Sequence, residues 1–155
     1  MSLTKFSRLF DSLDSNSSNN KKVKFLKEYF KSNNNLNNSW AVSLLVGKKN
    51  KRYISGRLLR KYYSLIYKLP IWLIENSYSK VGDSAELIAL LLKDKNNKQI
   101  KNNKYLDLEI DNLIRYDLPK LTLINEEDKI KQLKILWENI PNKDLLIFNK
   151  ILTGT

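Results

Sequence analysis

The chain contains no cysteine and no histidine. The first absence excludes disulfides, thiolate catalysis and cysteine-based zinc sites. The second removes the commonest general base and the commonest metal ligand. Glycine and proline number only 4 and 3 in 155 residues, so few positions punctuate the backbone. No run of about 18 apolar residues occurs, and no membrane span is expected. The start, Met1–Phe10, is amphipathic but lacks the apolar stretch and cleavage site of a secretory signal. A reducing cytoplasm fits these absences. The length implies one domain or two small lobes. Folding at this size buries roughly 68–70% of the surface an unfolded chain exposes, enough for a core without staples.

Positive charge is in excess, with 28 Lys and Arg against 16 Asp and Glu, a formal +12. Such a surplus points to a polyanionic partner. Codon bias offers a competing account, because Lys, Asn and Ile, all abundant here, are residues of A/T-rich codons. Position discriminates better than the total. Lys48, Lys49, Lys51, Arg52, Arg57, Arg60 and Lys61 lie in a stretch, Gly47 to Leu73, without any Asp or Glu. A charge run of this kind is either a solvated face or a surface that tracks phosphates. Tyr53, Tyr62 and Tyr63 interleave with the bases, at a spacing that also suits a helix core.

The chain reads as all-α, with about eight or nine helices. Leu3, Phe6, Leu9, Phe10 and Leu13 share one face of a first helix. Asp14–Asn19 is a polar break, after which Asn19 or Asn20 caps a helix that turns Val23, Leu26, Tyr29 and Phe30 inward. Ser32–Asn38 is expected as an Asn-rich loop, followed by a short helix around Ser39–Val46 that Gly47 ends. Lys48–Tyr53 is a basic loop. Ser55 caps the next helix, to about Tyr67, with Leu58, Leu59, Tyr62, Leu65 and Ile66 as its apolar set. Lys93–Lys104 reads as an exposed polar loop dividing two lobes. Tyr105–Tyr116 fits strand alternation or helix, and its length favours helix. Asn125 caps a helix that buries Ile130, Leu133, Leu136 and Trp137. Pro141 opens the last helix, which buries Leu145, Ile147 or Phe148, and Leu152, and Gly154 ends it.

The segment Pro70–Leu92 carries the most information. Pro70 opens a helix whose apolar face is read from Trp72, Leu73 and Tyr78. Gly82 permits a backbone geometry that other residues resist. Asp83 or Ser84 caps a second helix, roughly Ser84–Lys93, nearly all apolar after Glu86 and so expected to be buried. Lys80 and the Gly82 and Ser84 backbone amides are candidate phosphate contacts at that helix start, whereas Asp83 is expected to be structural.

The run P-I-W-L-I-E-N-S-Y-S-K-V-G-D-S-A-E-L-I-A-L-L-L resembles the N-terminal DNA-binding domain of ATP-dependent DNA ligases, in particular the bacterial form. Pro70, Trp72, Leu73, Glu75, Tyr78, Val81, Gly82, Asp83, Ala85, Glu86, Ile88 and Ala89 to Leu92 fit the family's pattern; Ser84 stands where the family usually has Leu. Asn20, Lys22, Val23, Leu26, Tyr29 and Phe30 are similar to its N-x-K-V-x-x-L-x-x-Y-F helix. Trp40-Ala41 with Gly47 and the basic Gly47–Arg60 run are similar to further family stretches. Phe148–Gly154 resembles the F-x-x-N-K-L-L-T-G-G that closes the domain.

The resemblance implies an all-helical domain that holds double-stranded nicked DNA across the minor groove for the ligase's own catalytic domain, without sequence preference. The implied DNA-binding set is Lys22, Lys48, Lys49, Lys51, Arg52, Arg57, Lys80, Gly82, Ser84, Lys150, Thr153 and Gly154. It also implies a monomer in a bacterial cytoplasm, associated with the nucleoid, serving replication, repair or recombination. The K-x-D-G lysine that carries adenylate in these ligases does not occur in the chain. The catalytic and OB-fold domains are therefore expected elsewhere, and no catalytic residue or metal ligand is assigned. ATP and Mg2+ are cofactors implied for the parent ligase, and the chain alone is expected to be inactive. Two other classes fit the composition: a helical adaptor whose basic face binds an acidic protein, with an exposed apolar patch, and a helical RNA-binding domain with exposed stacking aromatics.

Overall fold

The computed structural model describes residues 3–32, 35–46, 51–95 and 108–154. Gly47, Lys48, Lys49, Thr155 and most of the expected polar loop lie outside the described residues. The fold is all-α, with nine helices and no strand among the described residues.

Helix α1 is Leu3–Asp14 and α2 is Asn19–Ser32. Leu3, Phe6 and Leu9 are buried as the spacing predicts, and the Leu3 N–H donates to the Leu108 carbonyl at 2.6 Å. On α2 the inward stripe differs from expectation. Val23 is 48% exposed, and Phe25 packs on the core beside Leu26, Tyr29 and Phe30. Phe25, whose ring is the larger apolar group, is partly buried in place of Val23. Helix α3, Asn35–Val46, starts four residues before the expected Ser39, because Asn-rich segments are weak helix formers, not obligate loops.

Helix α4 is Gly56–Tyr67, and the Ser55 side chain accepts from the Leu58 N–H, as expected of its cap. Its buried stripe is Leu59, Tyr62 and Tyr63 with Arg60, while Leu58 and Leu65, expected inside, are exposed. Helix α5 is Ile71–Val81, with Pro70 at its N-cap. Here too the expected face is wrong. Trp72 is 66% exposed and Leu73 is exposed, and Ile74 is the buried anchor with Tyr78 half-buried beside it. One turn of a short helix presents only a narrow strip to its neighbours α4 and α6, and Ile74 and Tyr78, four apart, form that strip.

Gly82 ends α5 at φ 78°, in the left-handed region, and its N–H donates to the Tyr78 carbonyl. Helix α6, Ser84–Lys95, follows. Ala85, Leu87, Ile88, Ala89 and Leu92 are buried, but Leu90 is exposed. Helix α7 begins as Ile110–Asn112, passes through a π turn at Leu113–Asp117 and continues as Leu118–Leu123. The helical reading of Tyr105–Tyr116 therefore holds from Ile110; residues 105–107 lie outside the described residues. Helix α8 is Glu126–Asn139, capped by Asn125, whose side chain accepts from the Asp128 N–H. Pro141 opens a short 3-10 turn, Asn142–Asp144, before α9, Leu145–Thr153, which Gly154 ends at φ 69°.

Helix α9 is the centre of the packing. It lies against α6, and Ile147, Phe148, Ile151 and Leu152 are buried. Asn149, fully buried, accepts from Trp137 Nε1 at 2.9 Å and donates to the Ala85 carbonyl at 3.3 Å. One polar side chain thus ties α8, α9 and the first turn of α6 together. The core is one cluster, from Leu3 to Leu152, so it joins residues from both sides of the polar segment.

Candidate nucleic-acid interface

Three segments far apart in sequence meet at the end of α9. The carbonyl groups of the last turn of a helix lack intrahelical partners. Here they are satisfied from the extended segment before α4. The Tyr53 and Ile54 N–H groups both donate to the Leu152 carbonyl, at 2.9 and 3.1 Å, and Arg52 Nε donates to the Thr153 carbonyl at 3.3 Å. The second junction is between α9 and the start of α6. Lys150 Nζ donates to Asp83 Oδ2 at 3.1 Å, while Asp83 Oδ1 accepts from the Ala85 and Glu86 N–H groups at 2.8 and 3.2 Å.

Asp83 is therefore the N-cap of α6, one of the two residues, Asp83 or Ser84, that the sequence offers for it. Burial alone would raise its pKa, but the Lys150 ammonium and the two backbone N–H groups outweigh burial and hold it below the usual carboxylate value.

The third junction is built on Arg60, which is only 8% exposed. Arg60 Nε donates to Glu75 Oε1 at 2.7 Å and Nη1 donates to Ser84 Oγ at 2.6 Å. The guanidinium sits 3.8 Å from the Tyr78 ring centroid. This base belongs to the interior, cross-linking α4, α5 and α6. Lys61 pairs with Glu126 at 3.2 Å. The acid-free stretch around Arg60 and Lys61 is thus neutralised by acids distant in sequence. Gly56 lets the starts of α4 and α6 approach, since a Cβ there would lie 2.9 Å from Ser84 Oγ.

The outcome is a groove of about 480 Å³ that brings together Arg52, Arg57, Gly82, Ser84 and Thr153, five of the residues assigned from sequence. Arg52 and Arg57 are exposed, and among the described residues neither pairs with a carboxylate. The nearby acids Glu75 and Asp83 are each engaged by an interior base. Arg57 also stands in the first turn of α4. A cation there opposes the helix dipole, at a cost of about 0.3–1 kcal/mol, which a bound anion would reverse.

The other assigned residues are distributed differently. Lys51, Lys150 and Gly154 line a neighbouring cavity. The Lys150 ammonium is already engaged by Asp83. Ser84 is buried, with its hydroxyl on Arg60, and the next two amides of α6 are taken by Asp83. Lys80 is exposed in the last turn of α5 and Lys22 is half-buried on α2; neither lines the groove. Lys48 and Lys49 lie outside the described residues.

Sequence reasoning did not assign Gly56, Glu75, Tyr78 or Asn149. Glu75, the first acid after the basic stretch, was the available signal for a pairing with one of its arginines. Among the described residues no group of three or more Asp or Glu side chains is arranged to hold a metal ion, and no helix is long and apolar enough to cross a membrane.

A family model described as DNA ligase N terminus matches residues 2–155. No curated protein matches the chain.

Proposed function

The chain belongs to the DNA ligase N-terminal family, and from that premise we propose that it binds duplex and nicked DNA without sequence preference, as part of an ATP-dependent ligase that seals nicks. The observation that carries the reading is the groove. Exposed Arg52 and Arg57 share it with Gly82 and Thr153 and have no acidic partner among the described residues. Two guanidinium groups beside a helix start suit successive phosphates of one backbone. Phosphate contacts position a protein without reading bases, which supports sequence-independent binding. The proposed mode is a grip across the minor groove by a monomer, in replication, repair or recombination.

ATP and Mg2+ would act in the parent enzyme's catalytic part. The described residues do not fit them: no metal-holding cluster is present among them, and the chain has no K-x-D-G lysine. The chain alone is therefore proposed to bind DNA and to form no lysyl-adenylate.

A protein contact has its own support. Leu58, Leu65 and Ile71, exposed apolar side chains of α4 and α5, line a groove of about 1010 Å³. Apolar patches of this kind mark contact surfaces, and the ligase's own catalytic domain is the proposed occupant.

The test is a salt titration on a nicked duplex. If about five phosphates are neutralised, log K falls against log salt with a slope of about −4 to −5. A salt-insensitive affinity, or no binding at about 50 mM salt, refutes the reading.

A further inference from the structure

A second cavity adjoins the basic groove. Neighbouring residues line the two: Arg52 and Thr153 face the groove, Lys51 and Gly154 the cavity. The cavity holds about 350 Å³, within the range of small-ligand sites. Its lining includes Trp40, Tyr53, Leu44 and Ile114, with Lys51 and Lys150. Both rings are held at their polar edges. Trp40 Nε1 donates to Asp111 Oδ1 at 2.8 Å, and Tyr53 Oη donates to the Ile114 carbonyl at 3.2 Å. Both rings are thus anchored before any ligand arrives. The Lys51 ammonium lies 5.4 Å from the Tyr53 ring centroid and has no carboxylate partner among the described residues.

Anchored aromatic rings with an unneutralised cation beside them suit a planar aromatic group attached to an anion. Proximity to the basic groove, through the neighbouring pairs Lys51 and Arg52 and Thr153 and Gly154, selects among such ligands. We propose that the cavity takes one unpaired nucleotide of a DNA strand held in the groove, with its base against Trp40 and Tyr53 and its phosphate near Lys51. The proposal rests on the DNA-binding reading above. It adds a preference that the groove alone would not give: an unpaired nucleotide at a nick strengthens binding.

The test uses two nicked duplexes that differ by a single unpaired 2-aminopurine nucleotide at the nick. Stacking of one base on an aromatic side chain supports an affinity gain of about fivefold or more for the flapped duplex, with quenching of the 2-aminopurine emission. Ser43→Trp fills the cavity, which Ser43 lines, without altering charge. It should abolish both the gain and the quenching while leaving affinity for the plain nicked duplex unchanged. Equal affinity for both duplexes, without quenching, overturns the proposal and leaves the DNA-binding reading intact. A gain that survives Ser43→Trp overturns the assignment to this cavity. Binding to neither duplex removes the DNA-binding reading and this proposal with it. Free deoxyadenosine monophosphate should displace the flap only at millimolar concentration; displacement at micromolar concentration would assign the cavity to a free nucleotide instead of a strand.

Discussion

Lys150 reaches from the last turn of α9 to Asp83 Oδ2 at 3.1 Å, and the other oxygen of the same carboxylate caps α6. One side chain thus serves as N-cap and as partner to a cation from a helix 67 positions away in sequence. The pair separates structural charge from available charge, since the Lys150 ammonium is spent inside the fold while Arg52 and Arg57 remain without a carboxylate partner among the described residues.

That pairing predicts an acid limit to stability. The folded-state pKa of Asp83 is lowered, so its contribution is present above the unfolded carboxylate value and is lost as pH falls through the folded one. Asp83→Asn retains a capping side chain but loses the ion pair, at a cost of about 1 kcal/mol near neutral pH. Urea unfolding at pH 7 and at pH 3 checks this. The gap between wild type and variant should narrow at the lower pH; a constant gap would show that the carboxylate's charge contributes nothing.

Gly56 and Gly82 should respond for different reasons. At Gly56 an added Cβ meets Ser84 Oγ at 2.9 Å and Ser84 Cβ at 3.3 Å, and Ser84 is held by the buried Arg60. Gly56→Ala should destabilise by about 1–3 kcal/mol through overpacking. At Gly82 nothing lies within 4 Å, but φ is 78°. Gly82→Ala should cost about 1–2 kcal/mol through backbone strain, and Gly82→Asn less. Thermal melts of the three variants check this: asparagine at Gly82 should cost less than alanine, as a left-handed site requires.

Arg60→Ala should unfold the chain more readily, and because Arg60 also lines the groove, stability is the quantity to read. It leaves Glu75 and Ser84 Oγ without their partner. Breaking a fully buried pair costs about 3–5 kcal/mol; Glu75 is 42% exposed, so about 2 kcal/mol is expected after solvent screening. A double-mutant cycle with Glu75→Gln gives the coupling. Additive effects would mean that the 2.7 Å contact carries no energy.

Most of the fold is legible in the sequence because start and stop signals are local. The Ser55 and Asn125 caps, Asp83 at the start of α6 and the two left-handed glycines all stand where the chain order puts them. Stripe orientation is less legible. The helical period placed Val23, Leu58, Leu65 and Trp72 inward, yet each faces solvent while Phe25, Tyr63 or Ile74 takes the core. Period alone selects a helix, and the neighbouring helices select the face. The same holds for charge. The sequence shows seven bases without an acid between Gly47 and Leu73 when Lys48 to Lys61 are counted and Lys68 set aside. Only the packing shows that Glu75 and Glu126 remove Arg60 and Lys61 from that set.

The two arginines left in that set give a binding prediction. Arg52 and Arg57 flank Ser55 and Gly56 at the start of α4 and line one groove. Replacing both by Ala should weaken DNA binding about equally on all sequences and reduce the salt slope by about two, one for each phosphate no longer neutralised. The control is Lys131→Ala with Lys134→Ala. These exposed bases on α8 pair with Glu127 and Glu138 and lie outside the groove. Removing them lowers the net charge by the same amount, and exposed pairs of this kind add little stability. Fluorescence anisotropy over a range of salt concentrations measures both effects. If the two double variants weaken binding equally, net charge alone drives it and the groove is not the site. If only Arg52→Ala with Arg57→Ala flattens the slope, the phosphates are held where the end of α9 meets the start of α4.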